Sequence, residues 1–258
     1  MSSPTTRIGS ATSDTTQFRM RGKDVLSEIV GEMSFTEAFY FIVTGRELTE
    51  EQGRIFDSCV IVLMDHGITP QALVSRLVHD AVPTDLQVPV ASGLLMVGNK
   101  FAGTMAGCGQ ILQDCMAQDG DRRAWLADKV ASYRAQRRFI PGFGHPYYKP
   151  EDPRAARLFE IAEANGAKGD YIALVKMLGE EVDRAAGRHL TLNVTGALGA
   201  VLSEIAFPVE VMRACSVVGR AAGLVAHVLE EQSSPIVPDV VNFVNEIPYV
   251  EDLSLIHI

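Results

Sequence analysis

The residues that start and stop helices constrain this chain more than any other feature. Ser34-Phe35-Thr36-Glu37 is a capping box: the serine oxygen accepts an orphan N–H of the first turn, and Glu37 reaches back to the serine's own N–H. Thr49-Glu50-Glu51-Gln52 repeats the pattern ahead of Ile55, Phe56, Cys59, Val60 and Leu63, whose spacing predicts one helical face. Asp152-Pro153 supplies an N-cap and a first-turn proline before Leu158 and Ile161, and Gly187 closes a helix bearing Leu178, Val182 and Ala186. One long helix is expected from Val209 to Gln232, after Pro208. Alternating strand patterns longer than four residues are scarce. A chain punctuated in this way buries its apolar stripes by packing helix on helix, so the fold class read from sequence is all-α.

At 258 residues and 47% hydrophobic, the chain holds enough apolar material for one large domain or two modest ones. Composition shifts at 118–138, a Gly/Pro-rich stretch at 141–150 and a Gly-containing turn at 164–170 predict a smaller helical domain over 109–206. It is inserted into a larger one formed by 18–108 and 207–252. The Ser/Thr-rich start, 1–17, has no apolar segment and reads as a loose tail, not a secretory signal. Residues 253–258 fit no helix period and read as a non-native tail. With 23 basic against 32 acidic side chains, no broad basic face is available for nucleic acid or an anionic membrane. A phosphate-bearing ligand would need a local basic cluster. The longest apolar stretch, Val88 to Gly107, is interrupted by Lys100, short of the roughly 18 uncharged residues that span a bilayer. Cys59, Cys108, Cys115 and Cys215 show no metal-ligand spacing, so reduced thiols, a cytoplasmic location and no metal are expected.

The segment from Ile140 to Arg154, IPGFGHPYYKPEDPR, carries the most chemistry. Gly142 and Gly144 permit a sharp turn and could offer N–H groups to a ligand. Pro146 pushes His145 into an extended conformation, so its imidazole is held by a rigid loop. Arg154 follows the Asp152 cap in the first helical turn, where a cation opposes the helix dipole by roughly 0.3–1 kcal/mol. It either pairs with Glu151 or Asp152, or joins the free N–H groups in receiving a carboxylate. Arg220 lies on a helical stripe of Ser216, Val217, Gly223 and Leu224, where a charge needs an internal partner or a bound anion. His66 is read at a helix C-terminal end, which favours the imidazolium and an anionic partner.

Pro141-Gly142-Phe143-Gly144-His145, followed by Lys149 and Asp152-Pro153-Arg154, resembles the PGFGH-x-x-x-[KR]-x-x-DPR signature of the citrate synthase superfamily. Arg21-Gly22 through Ser34-Phe35-Thr36-Glu37-Ala38 and Thr44-Gly45 resembles the family's N-terminal region. Asp65-His66-Gly67 is similar to its ADHE/G site, Asn193-Val194 to the start of its NVDFYSG block, and Gly219-Arg220-Ala221-Ala222-Gly223 with Ala226-His227 to its ARxxGWxAH helix. The order and spacing match from about residue 18 to 232, and the short length is closest to the compact relatives described as citryl-CoA lyases.

The resemblance implies a homodimer of two-domain helical chains closing over oxaloacetate and a coenzyme A thioester. No cofactor would be covalently bound. His66, His145, Arg154 and Arg220 would hold and polarise the keto acid. The backbone of Ile140, Pro141, Gly142, Phe143 and Gly144 would meet the adenine, and Lys149 a coenzyme A phosphate. Two positions depart from the pattern. Phe101 stands where the family's GPLHGGANE stretch has a catalytic histidine, and Thr195 where NVD has its aspartate. The activity expected is cleavage of citryl-CoA to acetyl-CoA and oxaloacetate, with His145 exchanging a proton with the tertiary hydroxyl and Thr195 or water returning one to the enolate. The alternatives are a citrate synthase-like acyltransferase on acetyl-CoA or another acyl-CoA, and a non-catalytic homologue that binds coenzyme A or a carboxylate.

Overall fold

The computed structural model describes residues 4–11, 13–98 and 103–250. In chain order its elements are β1 (Arg19–Met20), β2 (Lys23–Asp24), α1 (Val25–Glu28), α2 (Phe35–Thr44), α3 (Glu50–Ile61), α4 (Pro70–Ala81), α5 (Gln87–Leu95), α6 (Met105–Met116), α7 (Arg122–Ala135), α8 (Pro153–Ala164), α9 (Asp170–Ala186), α10 (Val194–Glu204), α11 (Arg213–Ser233) and α12 (Val237–Asn245). The fold is all-α, as expected. Both capping boxes form, with Ser34 and Thr49 as N-caps, and Gly187 ends α9 in the left-handed conformation. The long helix expected from Val209 begins instead as a 3-10 turn, Val209–Val211, and α11 proper starts at Arg213.

The contacts divide the chain elsewhere than at the expected 109–206 insertion: one compact unit is Met1–Leu63 with Gly98–Gly219, the other Met64–Val97 with Arg220–Ile258. In the first, α10 is the central helix. The run Val194 to Ser203 has no charged residue, which lets every face of the helix be buried, and α6, α8 and α9 pack around it. Glu204, at its end, accepts the N–H groups of Gly169, Tyr171 and Ile172 at 3.2, 2.7 and 3.1 Å and so caps α9 from another helix. Tyr40, Phe56 and Phe207 form an aromatic cluster in this core, with ring centroids 5.1–5.6 Å apart. Part of the expected loose tail is pinned: Gly9 bridges Met20, and the Ser10 N–H donates to the Arg19 carbonyl at 3.0 Å.

The second unit contains α4, α5, the C-terminal part of α11, and α12. Ala72, Val97, Leu224, Val228 and Val237 form its apolar interior. The segment Val209–Ser233 is long and apolar enough to cross a bilayer by length and composition, unlike any stretch expected from sequence. Its buried Met212, Cys215, Leu224 and Val228 are those of a core helix.

Candidate active site

The His145 loop is laced to the start of α10. The Gly144 N–H donates to the Thr191 carbonyl at 2.7 Å, the Asn193 N–H to the Gly142 carbonyl at 3.0 Å, and Asn193 Nδ2 to the Gly144 carbonyl at 2.9 Å. Gly142 has φ 92°, and a Cβ there would lie 2.6 Å from the Gly196 Cα, so only glycine lets the two backbones touch. This corrects the sequence reading of Gly144: its N–H goes to Thr191, not to a ligand.

Asp152 is the junction of the site. Its side chain is 0% exposed and caps α8 through the Arg154 N–H at 3.1 Å. It holds the Arg154 guanidinium at two points, Nε to Oδ1 at 2.9 Å and Nη2 to Oδ2 at 2.8 Å, and accepts the Val194 N–H of α10 at 2.9 Å. Burial pushes its carboxyl upward, but the Arg154 guanidinium and the backbone N–H groups outweigh that and hold it below the usual range. Of the two readings of Arg154, pairing with Asp152 is realised. The pairing does not exhaust the guanidinium, which lies 4.7 Å from the Tyr148 ring centroid and brings Nη2 to 3.3 Å from His145 Nε2.

The tautomer of His145 follows from its other nitrogen. Nδ1 accepts the backbone N–H groups of Tyr147 and Tyr148 at 3.1 and 3.0 Å, so it carries no proton and the ring hydrogen sits on Nε2. Nε2–H and the Arg154 Nη2 are then neighbouring donors. Two donors cannot bond to each other, but they can share one anionic or partly charged oxygen.

Thr195 is buried in the first turn of α10. Its hydroxyl lies 2.6 Å from Asn193 Oδ1, which can only accept, and 2.5 Å from Thr104 Oγ1. The Thr195 proton therefore goes to Asn193, and Thr104 donates to Thr195. Phe101 lies outside the described residues. Around the loop, Ile140 is buried, Pro141 packs toward Gly107, Phe143 packs toward Gly179 and pairs with Leu192, and Lys149 is exposed. His189 fastens the loop's far end, with Nε2 3.0 Å from the Pro150 carbonyl and Nδ1 2.6 Å from Asp183.

His66 and Arg220 belong to the second unit. The helix that was to end at His66 stops at Ile61, leaving His66 on an exposed corner before Gly67, so the helix-end reason for an imidazolium falls away. Arg220 is buried on α11. Sequence reasoning missed Tyr148, Asn193 and the junction role of Asp152. It also missed a chain of polar groups in the second unit that runs from the exposed Asp65 through His227 to the buried Arg76 and Glu231. The signals available were Arg76 among the buried positions of α4 and the family-like stretches that hold Asp65 and His227.

The description "Citrate synthase, C-terminal domain" matches residues 7–237. The citrate synthase of Haloferax volcanii is 29% identical over 221 residues, 83% of this chain and 55% of that protein. This chain thus spans about half the length of the curated relatives it matches. The structure of citryl-CoA lyase from Hydrogenobacter thermophilus superposes with a TM-score of 0.83 at 30% identity, covering 96% of this chain and 94% of that one. The ATP citrate lyase of Methanosaeta concilii in complex with (3S)-citryl-CoA shares the fold at 20% identity and a TM-score of 0.76, over 98% of this chain and 43% of that one.

Proposed function

This chain belongs to the citrate synthase family, and on that footing we propose that it is a carbon–carbon lyase cleaving citryl-CoA to acetyl-CoA and oxaloacetate. The observation that carries the proposal is the pair of donors, His145 Nε2–H and Arg154 Nη2, 3.3 Å apart, with His145 Nδ1 held by two backbone N–H groups. The likeness to a citryl-CoA lyase, at 30% identity and a TM-score of 0.83, supports cleavage.

In this reading the tertiary hydroxyl of citryl-CoA sits before the donor pair. Because Nε2 already bears hydrogen and Nδ1 is taken by two N–H groups, His145 does not remove the hydroxyl proton, as the sequence suggested. It stabilises the alkoxide as a donor, with Arg154, while the proton passes to water. The alkoxide collapses to the ketone and the C–C bond breaks. Its electron pair moves onto the thioester, giving the acetyl-CoA enolate, and water returns a proton to the enolate carbon. Thr195 does not supply that proton, since its own is committed to Asn193. Donors aimed at a developing oxyanion contribute on the order of 10²–10³-fold each. Arg220 and His66 bind substrate carboxylates, Lys149 meets a coenzyme A phosphate, and the backbone of 140–143 faces the adenine. The protein acts as a cytoplasmic homodimer without a bound metal or covalent cofactor.

The test is direct. Purified protein given citryl-CoA should release oxaloacetate, read by its reduction with malate dehydrogenase and NADH, and His145→Ala should lose roughly 10²-fold or more in kcat/KM. Wild type that binds oxaloacetate or coenzyme A in calorimetry without turnover on citryl-CoA, or on acetyl-CoA with oxaloacetate, would instead be a binding homologue. The departure at Thr195 favours that second reading.

A further inference from the structure

The second unit holds a chain of polar groups for which substrate binding gives no direct role. Arg76, on α4, is 1% exposed. Its Nη1 donates to Glu231 Oε2 at 2.8 Å and its Nη2 also pairs with Glu230, while Glu231 Oε1 accepts the N–H groups of Ile236 and Val237 at 2.9 and 3.0 Å, ahead of α12. On its other side, Arg76 Nε and Nη2 lie 3.2 and 3.1 Å from His227 Nδ1. A guanidinium only donates, so Nδ1 accepts and the His227 ring hydrogen is on Nε2. That nitrogen is 2.8 Å from Asp65 Oδ1. Asp65 Oδ2 accepts the Gly67 N–H at 2.8 Å, which folds the carboxylate over the His66-Gly67 corner.

The corner also lies against α11 itself. A Cβ on Gly223 would come within 1.9 Å of the Met64 carbonyl oxygen, so the chain entering the corner rests directly on the helix backbone. Arg220, Gly223 and His227 are spaced by three and four and share one face of α11. Thus the helix that carries Arg220 makes room for the His66 corner at Gly223 and fastens it at His227.

We infer that Asp65, His227 and Arg76 form a positioning relay that fixes the His66 corner against the α11 face bearing Arg220. Arg76 sets the tautomer of His227, His227 delivers its one N–H to Asp65, and Asp65 orders the turn that presents His66. Glu231 ties the relay to the start of α12. None of the three touches substrate in this scheme. The functional consequence rests on the reading of His66 and Arg220 as carboxylate ligands, whereas the ordering of the corner does not.

Two measurements on the full chain separate the relay from that reading. In amide hydrogen exchange, Gly67 should be protected in wild type and exchange roughly tenfold faster or more in His227→Ala, the loss expected for a hydrogen bond to a charged group. The Kd for oxaloacetate should rise by a similar factor, with kcat for citryl-CoA changed by less than about threefold. His227→Gln, which keeps an N–H donor toward Asp65, should restore both. If His227→Ala fails to fold, Asp65→Asn keeps an acceptor for the Gly67 N–H but sets an amide NH₂ against His227 Nε2–H, breaking the same bond from the more exposed side, 52% against 11% for His227. Unchanged Gly67 exchange in the folded variants overturns the relay, and faster exchange with unchanged oxaloacetate Kd overturns its role in positioning. Wild type that binds neither oxaloacetate nor citryl-CoA overturns the functional reading while leaving the exchange result to decide the relay.

Discussion

Replacing Asp152 tests the site's construction most sharply, because one buried carboxylate serves a helix cap, an ion pair and a second helix at once. Asp152→Asn keeps the shape and the capping ability, since asparagine is as good an N-cap as aspartate. It removes the charge and puts an amide NH₂ against either Arg154 or Val194, both donors. Breaking a fully buried ion pair costs about 3–5 kcal/mol. The Arg154 side chain is 20% exposed and can recover some solvation, which places Asp152→Asn at about 2–3 kcal/mol. Asp152→Ala additionally loses the cap, about 1 kcal/mol, and leaves the Val194 N–H without its acceptor, so about 4 kcal/mol is expected. For a chain of this size that is roughly 5–15 °C in Tm across the two variants. Urea denaturation followed by circular dichroism gives the free energies. The pH dependence supplies a sign check. The folded carboxyl lies below its ordinary value, so this stabilisation is present above about pH 4 and disappears as pH falls through the folded value. Asp152→Asn within about 0.5 kcal/mol of wild type, the scale of an ordinary surface substitution, would show that the carboxylate's charge does not hold the site together.

Three further outcomes follow from the same geometry. His189 faces two acceptors, Asp183 and the Pro150 carbonyl; the Asp183 hydrogen bond, with Glu151 nearby, raises its pKa, so its contribution is complete below about pH 6.5 and fades as pH rises through the folded value. The Tm difference between wild type and His189→Ala should therefore be larger at pH 5.5 than at pH 8.5, and a pH-independent difference would refute the bridge. Burial pushes the Cys108 and Cys215 thiols up to about 12, and Cys59 and Cys115 are buried as well, so native protein at pH 8 should show no rapidly reacting thiol toward Ellman's reagent while urea-unfolded protein shows four. Thr195→Val should lower stability by about 1–2 kcal/mol with kcat for citryl-CoA reduced less than tenfold; a loss of 10²-fold or more would return the enolate proton to the threonine.

What could be read from the sequence was what depends on neighbours a few residues apart. The boxes at Ser34 and Thr49, the Asp152 cap and the Gly187 stop rest on bonds within one helical turn, and all of them form. The all-α class followed from that punctuation. The pairing of Arg154 with Asp152 was also among the readings the sequence allowed, again because the partners are two apart. The bonds that join distant helices and corners are long-range. Asp65 meets His227 across 162 residues, Arg76 meets Glu231 across 155, and Thr104 meets Thr195 across 91. Nothing in local pattern announces such a partner. Neither Arg76 on α4 nor His227 on α11 has its partner within its own helix turn. The role of Gly144 was misread for the same reason: the segment after α9 that takes its N–H lies some 47 positions on, since Thr191 and Gly144 pair across that separation.

The two family-like stretches around Asp152 and Asn193 are physically one unit. The Asp152 carboxylate stands between the first turns of α8 and α10 and draws N–H groups from both, so the two helix starts are registered by a single side chain. Asn193 does the converse work from α10, capping its own helix through the Thr195 and Gly196 N–H groups and reaching back to the Gly144 carbonyl. The imidazole of His145 is thereby located by backbone bonds on three sides: its own Nδ1 contacts, the Gly144–Thr191 bond and the Asn193–Gly144 bond. Arg154 must then satisfy two geometric demands at once, a parallel grip on Asp152 and a donor beside His145 Nε2. A planar guanidinium meets both, because Nε and Nη2 grip the carboxylate while Nη2 borders the imidazole. A lysine ammonium has one nitrogen and would have to choose. In the proposed function, selectivity for an oxyanion would therefore lie in where these N–H bonds point, since the charges of Arg154 and Asp152 cancel.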